Sequence, residues 1–391
     1  MQRDLPAKYY LDHFNEFISY ITDNCRHLLE DKHLSYLQTF KHLDEDAQCL
    51  LVRILNRKGE VVKKSTLQYQ EIKDIPQALS ILKLHQLVGD VTEDTFIQAI
   101  HSLTKLELIE LTQHDPKEHP LPAKSANKAL WIQWIIDNLS YAAHQNHPLM
   151  QSLLVNYQSE IFGYLLFLFF GNLKGKLNQF SLRDMGIMGT RKHHVQNNVR
   201  FQERDHALSA YFYALKNQSL QRWTQEQLIE EVSLLKKFPK AQGAIAIKEF
   251  NSFTLRLGKA LLPINQSLAL KALEQSDDPQ AIEKRIREWY KLGQLGRVKT
   301  ALENIIDTPS SEHLFIFATD FLERKFNKKR TSILTDMLRN GPDPITMDEA
   351  FINDVEIGVI YHHRRNGLKA IRSENQPWRA LFALTFWPEL F

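Results

Sequence analysis

Cysteine is almost absent from this 391-residue chain: Cys25 and Cys49 are the only two. Two thiols are too few for a disulfide framework or a cysteine-built zinc site, and such usage fits a reducing compartment. Glycine and proline are scarce as well, with 14 of each, so long stretches run without the residues that break regular structure. No apolar run is long. The greasiest, "IFGYLLFLFFG" at 161–171, has about half the ~20 residues that a membrane helix needs, and it reads as a buried helix. No membrane partner is expected. The first residues, "MQRDLPAKYY", lack the apolar core of a signal peptide, so the expected location is cytoplasmic. Charge of either sign is not in large excess: the net charge is +3, and bulk electrostatics alone imply no partner.

What is present is helix-forming pattern. With 43% hydrophobic and 24% charged residues, the composition is that of a globular protein, and the length suggests two to four domains. In "FNEFISYITDNCRHLLEDKHLSYLQTF" (14–40), Phe14, Phe17, Ile18 and Ile21 share one helical face, with Leu28 and Leu29 further on. "DDPQAIEKRIREWYKLGQLGRVKTALENII" (277–306) reads as helix, turn, helix. Pro279 suits a first helical turn, and Gly293 and Gly296 suit the turn between. "SEHLFIFATDFLERKF" adds another helix. A mainly α protein is expected, with paired helices over 125–340 that suggest a tetratricopeptide-like array.

Two regions differ. Residues 46–90 form a compact unit: a helix ending at Gly59, a β-leaning piece "EVVKKSTLQY", and a second helix after Asp74 with Pro76 in its first turn. This order matches a small helix-turn-helix or winged-helix module, taken to extend over 46–113 after an N-terminal helical region at 1–45. "HDPKEHPLPAK" (114–124), with three prolines, is the candidate linker. The last region, 345–391, offers a helix with Val355, Val359 and Ile360, a stop at Gly367, a short strand in "LKAIRSE", and a Pro-led apolar helix whose only charge between Trp378 and Trp387 is Arg379. A helix without a polar face exposes a large apolar patch unless something covers it.

Chemistry-bearing residues are mostly basic. Arg53 and Arg57 are four apart, Lys58 stands beside them, and Lys63 and Lys64 follow after a turn. Such cations can hold successive phosphates of DNA; they also suit a solvated helix end, where the dipole favours positive charge. "RKFNKKR" supplies Arg324, Lys325, Lys328, Lys329 and Arg330 around Phe326, again either a phosphate contact or a solvated face. His193 with His194, and His362 with His363, are adjacent pairs that point apart on a helix, and His206 stands alone. None has the spacing of a chelate. Glu374 lies between a possible strand and a Pro-led helix. An acid at such a junction can ligate a divalent metal or simply favour a helix N-terminus.

Taken in order, these motifs resemble those of the bacterial Fanconi-associated nucleases, proteins that end in a VRR-NUC domain. "YYLDHFNEFISYI" is similar to the family's N-terminal opening. "DAQCLLVRILNRKG" resembles its basic signature helix. "FSLRDMGI" and "VRFQERD" are similar to its mid-section, and "FLERKFNKKRTSILTDMLR" to the stretch before the nuclease domain. "IRSENQPWRALFALTFWPELF" resembles the start of that domain. "GTRKHHVQNN" departs from the pattern. The resemblance implies a winged-helix or SAP-like module, a tetratricopeptide-like helical domain and a PD-(D/E)XK α/β domain. It also implies Mg²⁺- or Mn²⁺-dependent phosphodiester hydrolysis on branched or 5′-flapped DNA, without sequence preference, in DNA repair. Arg53, Arg57 and Lys58 would bind DNA phosphates, and Glu374 would be the first acidic metal ligand.

Such a nuclease needs a further Pro-Asp and a Glu-x-Lys element after its first Glu. Only 17 residues follow Glu374, and Glu389 is their one acid. The look-alikes Glu30-Asp31-Lys32, Glu71-Ile72-Lys73, Glu323-Arg324-Lys325 and Pro342-Asp343 all precede it. The expectation is therefore a chain that binds DNA, ends within its nuclease domain and is catalytically incomplete, with a C-terminal nuclease fragment as a possible partner. The alternatives are a non-catalytic DNA-structure-binding module and a helical scaffold for other proteins.

Overall fold

The computed structural model describes residues 6–113, 120–177, 200–328, 335, 339, 345–372 and 375–387. In chain order, the first helices are α1 (Tyr9–Asn24), α2 (Asp31–His42) and α3 (Glu45–Leu55). Phe14, Phe17, Ile18 and Ile21 of α1 are all at most 2% exposed, as their spacing requires. The helical pattern over 14–40 is nevertheless broken. Leu29 is extended, and Glu30 and His33 form a capping box that starts α2 afresh. Once a cap satisfies free backbone N–H groups, a new helix costs little to begin. Asp44 caps α3 in the same way, its side chain accepting from the Ala47 N–H at 2.8 Å.

Strand β1 (Val61–Lys63) follows, then α4 (Ile75–Leu84), capped by Asp74 with Pro76 in its first turn as the sequence implies. Next come β2 (Val88–Gly89), α5 (Phe96–Ser102), α6 (Lys105–Leu111), α7 (Lys128–Asn138), α8 (Tyr141–His144), α9 (Pro148–Gln151) and β3 (Leu153–Asn156). The sheet order is β1-β3-β2, antiparallel throughout, with Val62 opposite Leu154 and Gly89 opposite Val155. Its central strand thus lies beyond the expected 46–113 module and inside the 125–340 stretch expected to hold paired helices. The 45/46 boundary also differs from what is found, because α1, α2 and α3 share one apolar core with α10 (Ser159–Phe170) and α11 (Arg204–Ser219). The "IFGYLLFLFFG" run is α10. Phe162, Tyr164, Leu165, Phe167 and Leu168 are buried, and Gly171 (φ +70°) closes the helix.

By contact the described chain divides into two units, 6–177 with 200–224 and 236–253, and 225–235 with 254–387. The remaining helices are α12 (Gln225–Leu234), α13 (Gly243–Leu261), α14 (Gln266–Leu273), α15 (Pro279–Lys291), α16 (Leu295–Asp307) and α17 (Glu312–Lys325). In the second unit, each helix from α14 to α17 packs on the next. Trp289, Val298, Leu302, Leu314, Phe317 and Phe321 form the core of α15–α17. Gly293 (φ +71°) makes the expected turn, whereas Gly296 lies inside α16.

Two further helices, α18 (Val355–Arg365) and α19 (Gln376–Thr385), end the described chain. Residues 368–372 form no strand, contrary to expectation; a strand needs a partner to take its backbone hydrogen bonds, and none pairs with them among the described residues. The described residues of this region are therefore helical, without the α/β character expected there. Helix α19 shows its apolar side chains to solvent, with Trp378 71% and Phe382 55% exposed. The chain is mainly α, and no helix among the described residues is long and apolar enough to cross a membrane.

Candidate nucleic-acid interface

The basic end of α3 opens into a cleft of about 660 Å³. Helix α3 stops at Leu55, earlier than the sequence suggests, and Asn56 is its cap. Gly59 then adopts φ +121°, a conformation that L side chains rarely take. Arg57 and Lys58 therefore lie in a turn past the helix end instead of on its surface beside Arg53. The spacing still foretold their neighbourhood, since all three line the same cleft with Tyr9, Tyr10 and Tyr69. Lys176 and His13 line it as well.

The three cations do different work. Arg53 is held by Glu71: Nε donates at 2.9 Å and Nη2 at 2.5 Å to Glu71 Oε1. The Tyr10 hydroxyl donates to the same oxygen at 2.8 Å, and the Arg53 guanidinium lies 3.9 Å from the Tyr10 ring centre. Burial disfavours charge on both partners, yet the hydrogen bonds prevail. Glu71 is held below the ordinary carboxylate range and Arg53 above its ordinary value. Glu71 belongs to one of the look-alike catalytic triplets, and here it serves as a structural counter-ion. Arg57 has no carboxylate partner among the described residues. Its Nη2 donates to the Thr66 carbonyl (2.8 Å) and the Tyr69 hydroxyl (2.7 Å), which fixes its direction without neutralising its charge. Lys58 is exposed and forms no ion pair among the described residues.

Lys63 and Lys64 are placed differently from Arg57 and Lys58. Lys63 pairs with Glu107, which also completes the capping box of α6. Lys64 reaches Asp90 (2.7 Å) and the Gln151 carbonyl (2.7 Å), and Lys83 holds the other Asp90 oxygen at 2.6 Å. Burial works against the charge of Asp90 and Glu107, but their lysine partners keep both below the ordinary range. These lysines tie the sheet to its surroundings.

In the second unit, Arg324 is exposed and paired with Asp320 at 3.4 Å. The Nζ of Lys325 lies 5.6 Å from the Tyr290 ring, and Lys328 is exposed in a left-handed conformation (φ +57°). Phe326 is half-buried against the α15–α17 core, an anchor for the tract. Lys329, Arg330, His193, His194, Pro342, Asp343 and Glu374 lie outside the described residues. Among the described residues, no group of three or more His, Cys, Asp or Glu is placed to hold a metal. His206 stands near Glu203 (3.6 Å), and His362 bonds Asn366 (3.0 Å). Cys25 and Cys49 are buried free thiols, Cys25 pushed up to about 11 by burial.

Sequence reasoning missed the tyrosines. Tyr9, Tyr10 and Tyr69 are far from the cations in sequence, and only the fold brings them together. Their available signal was a pair of adjacent tyrosines at the start of α1 and a lone tyrosine in a polar β-leaning segment.

Comparison with known proteins gives this arrangement a context. The family description "FAN1, HTH domain" matches residues 8–89, which include every cation and tyrosine of the cleft except Lys176. A "Fanconi-associated nuclease 1 homolog" of Oryza sativa subsp. japonica is 41% identical over 75 residues, 19% of this chain and 8% of that protein. One of Pseudomonas aeruginosa is 27% identical over 197 residues, 46% of this chain and 32% of that protein. The matched stretches thus span about a third or less of these relatives. Among solved structures, paFAN1 bound to 2nt 5′flap DNA with gap aligns with a TM-score of 0.71 at 20% identity, covering 98% of this chain and 71% of that one. The complex of paFAN1 with 1nt 5′flap DNA with gap aligns at 0.67 and 18% identity, covering 87% and 67%. At those identities the structural likeness speaks for the fold. Residues 8–89 thus match the HTH domain of FAN1, and in sequence and fold the chain is similar to Fanconi-associated nuclease 1 homologues, a bacterial one among them.

Proposed function

We propose that the chain engages branched or 5′-flapped duplex DNA through the cleft at the end of α3, as part of a structure-specific nuclease function. The observation that carries this reading is the pairing of two charged, carboxylate-free side chains, Arg57 and Lys58, with three tyrosine rings in one open cleft. Cations answer phosphates, and aromatic faces accept bases that have left the duplex stack, as they do at a flap or gap. No pattern for reading base edges accompanies them, so binding is independent of sequence. Flapped DNA is the first substrate to test because it is the ligand of the structurally similar paFAN1 complexes.

The cofactor and the reaction rest on the family resemblance. It implies Mg²⁺ or Mn²⁺ with Glu374 as the first acidic ligand, and metal-dependent hydrolysis of a phosphodiester. Glu374 lies outside the described residues, and these hold no group of three or more His, Cys, Asp or Glu placed for a metal. Cleavage of a 5′-flapped duplex with and without each metal, in the chain and in Glu374→Ala, tests that part separately.

Binding is tested by fluorescence anisotropy with a flapped duplex in two unrelated sequences across a salt series. The expected result is equal affinity for both sequences and a steep fall with salt, near 0.9 in log–log slope per phosphate contacted. Absence of binding at low salt, or strong dependence on sequence, overturns the reading in favour of a helical scaffold or a base-reading protein.

A further inference from the structure

A second basic surface lies in the first unit, on residues that the sequence reading left aside. Between Val232 and Lys248 the chain has four lysines, Lys236, Lys237, Lys240 and Lys248, and no acid. Lys236, Lys237 and Lys240 are exposed, as is Arg222. Among the described residues none of these four forms an ion pair or a side-chain hydrogen bond. Several cations elsewhere on this chain have found carboxylates, as Lys63, Lys64, Lys83, Arg287 and Arg297 show.

The backbone beneath these lysines is pinned. Phe238 stands edge-on to Phe212 at 5.1 Å and tilted to Phe253 at 6.4 Å. The next residue, Pro239, accepts a hydrogen bond on its carbonyl from the Tyr213 hydroxyl at 2.5 Å. Trp223, next to Arg222, meets Phe253 edge-on at 6.2 Å. One lysine is turned into this cluster: Lys216 Nζ lies 4.7 Å from the Phe238 ring, 5.4 Å from Trp223 and 5.5 Å from Phe212. The ring faces favour that ammonium where it stands. The nearby carboxylate of Glu249 is engaged by the Asn217 amide at 2.9 Å. A solvated lysine loop needs no such anchoring. A surface that must offer fixed positive charge to a rigid polyanion does.

We infer that Lys236, Lys237 and Lys240, with Arg222 beside them, form a second phosphate-contacting surface for the DNA duplex, held in place by the Phe238–Lys216 aromatic cluster. The inference rests on the proposed DNA binding and adds to it a contact far in sequence from α3. It assigns the surface to phosphates because lysines without flanking acceptors carry charge and no base-reading geometry.

The test uses the full chain, a 5′-flapped duplex with long arms, and the triple variant Lys236→Gln, Lys237→Gln, Lys240→Gln. These side chains are exposed, so the fold is retained, and an unchanged melting temperature verifies it. The expected result is affinity weaker on the order of 10- to 100-fold at physiological salt, and a log–log salt slope shallower by roughly 2 to 3. The matching triple Lys→Arg variant should restore both. Wild-type binding with an unchanged slope in the triple Gln variant overturns this surface while leaving the α3 cleft standing. No wild-type binding at all defeats the DNA reading itself, and this surface with it. Loss of binding to an acidic peptide such as poly-glutamate without loss of DNA affinity reassigns the surface to a protein partner and also overturns the inference.

Discussion

Two short basic runs of the same module, Arg57-Lys58 and Lys63-Lys64, look alike in sequence and behave differently in the fold. Five residues apart, they share composition, propensity and a turn-rich setting. Among the described residues, Arg57 and Lys58 keep their charge uncompensated in an open cleft, whereas Lys63 and Lys64 give theirs to Glu107 and Asp90. Charge density alone therefore does not locate an interface. A cation without a nearby carboxylate can do so, because only that cation has interaction energy left for a ligand.

The strongest way to break this contrast is to remove the free pair. The double variant Arg57→Ala, Lys58→Ala is expected to weaken binding of a flapped duplex on the order of 30- to 100-fold at low salt and to reduce the salt slope by about 2. Its urea midpoint should move little, because among the described residues neither side chain takes part in an ion pair, and the two hydrogen bonds of Arg57 are exposed. Anisotropy titrations across a salt series provide the check; an unaltered slope would mean that the cleft is not the contact.

Arg53 lies between the two cases, and its counter-ion gives a second test. Glu71→Gln removes the charge that balances Arg53 in a partly buried setting. It should destabilise the chain by about 1.5–2 kcal/mol, measured by urea unfolding at pH 7. The pH dependence has a definite sign. Folded Glu71 is held below its ordinary value near 4.5, so its contribution to stability is present above that pH and is lost as pH falls through the lower folded value. The variant should lose that part of the acid sensitivity. It should also bind DNA a few-fold more tightly, because Arg53 becomes a free charge in the cleft. Weaker binding would show that Glu71 matters for the shape of the cleft more than for its charge.

How far the sequence could be read follows from which interactions are local. The face of α1, the buried helix α10, the Asp74–Pro76 start of α4 and the Gly293 turn rest on periodicity, composition and capping within a few residues, and they were visible in advance. Strand β3 was not. "LLVN" is four consecutive buried residues without alternation, and its partners Val61–Lys63 lie about ninety residues earlier. The cations of the candidate site were legible as charges. Their division into paired and free depends on Glu71, Asp90 and Glu107, which are 18, 26 and 44 residues from their partners. Tyr10 and Tyr69 joined the site for the same reason, through tertiary contacts with Arg53 and Arg57.

Position is the next term of the comparison. Gly59 at φ +121° turns the chain directly after Arg57 and Lys58, and a Cβ there would meet nothing within 4 Å. Any effect of Gly59→Ala is therefore backbone strain, expected at roughly 1–1.5 kcal/mol. If the turn aims the two cations, DNA affinity should also fall by roughly 3- to 5-fold, of the same order as the strain. Loss of stability with unchanged affinity would separate the turn from the interface.

The smallest effect is expected from the other basic run, and it completes the contrast. Lys63→Ala with Lys64→Ala breaks two ion pairs whose members are partly exposed, with lysine side chains near 30% accessible. Screened pairs of this kind contribute little, so the combined loss should be about 1 kcal/mol or less. Glu107 also accepts from the Thr104 backbone, and Asp90 still has Lys83, so neither carboxylate is left alone. Losing those neighbours should let both carboxylates rise toward their ordinary values, which NMR titration of the two side chains can follow. Affinity for flapped DNA should change by less than about 3-fold, with the salt slope preserved, because these charges are already satisfied within the fold. If the slope instead falls by about 2, as it should for Arg57 and Lys58, then the lysines exchange their carboxylates for phosphates on binding. In that case the division between paired and free cations, drawn from the unbound chain, does not survive contact with DNA.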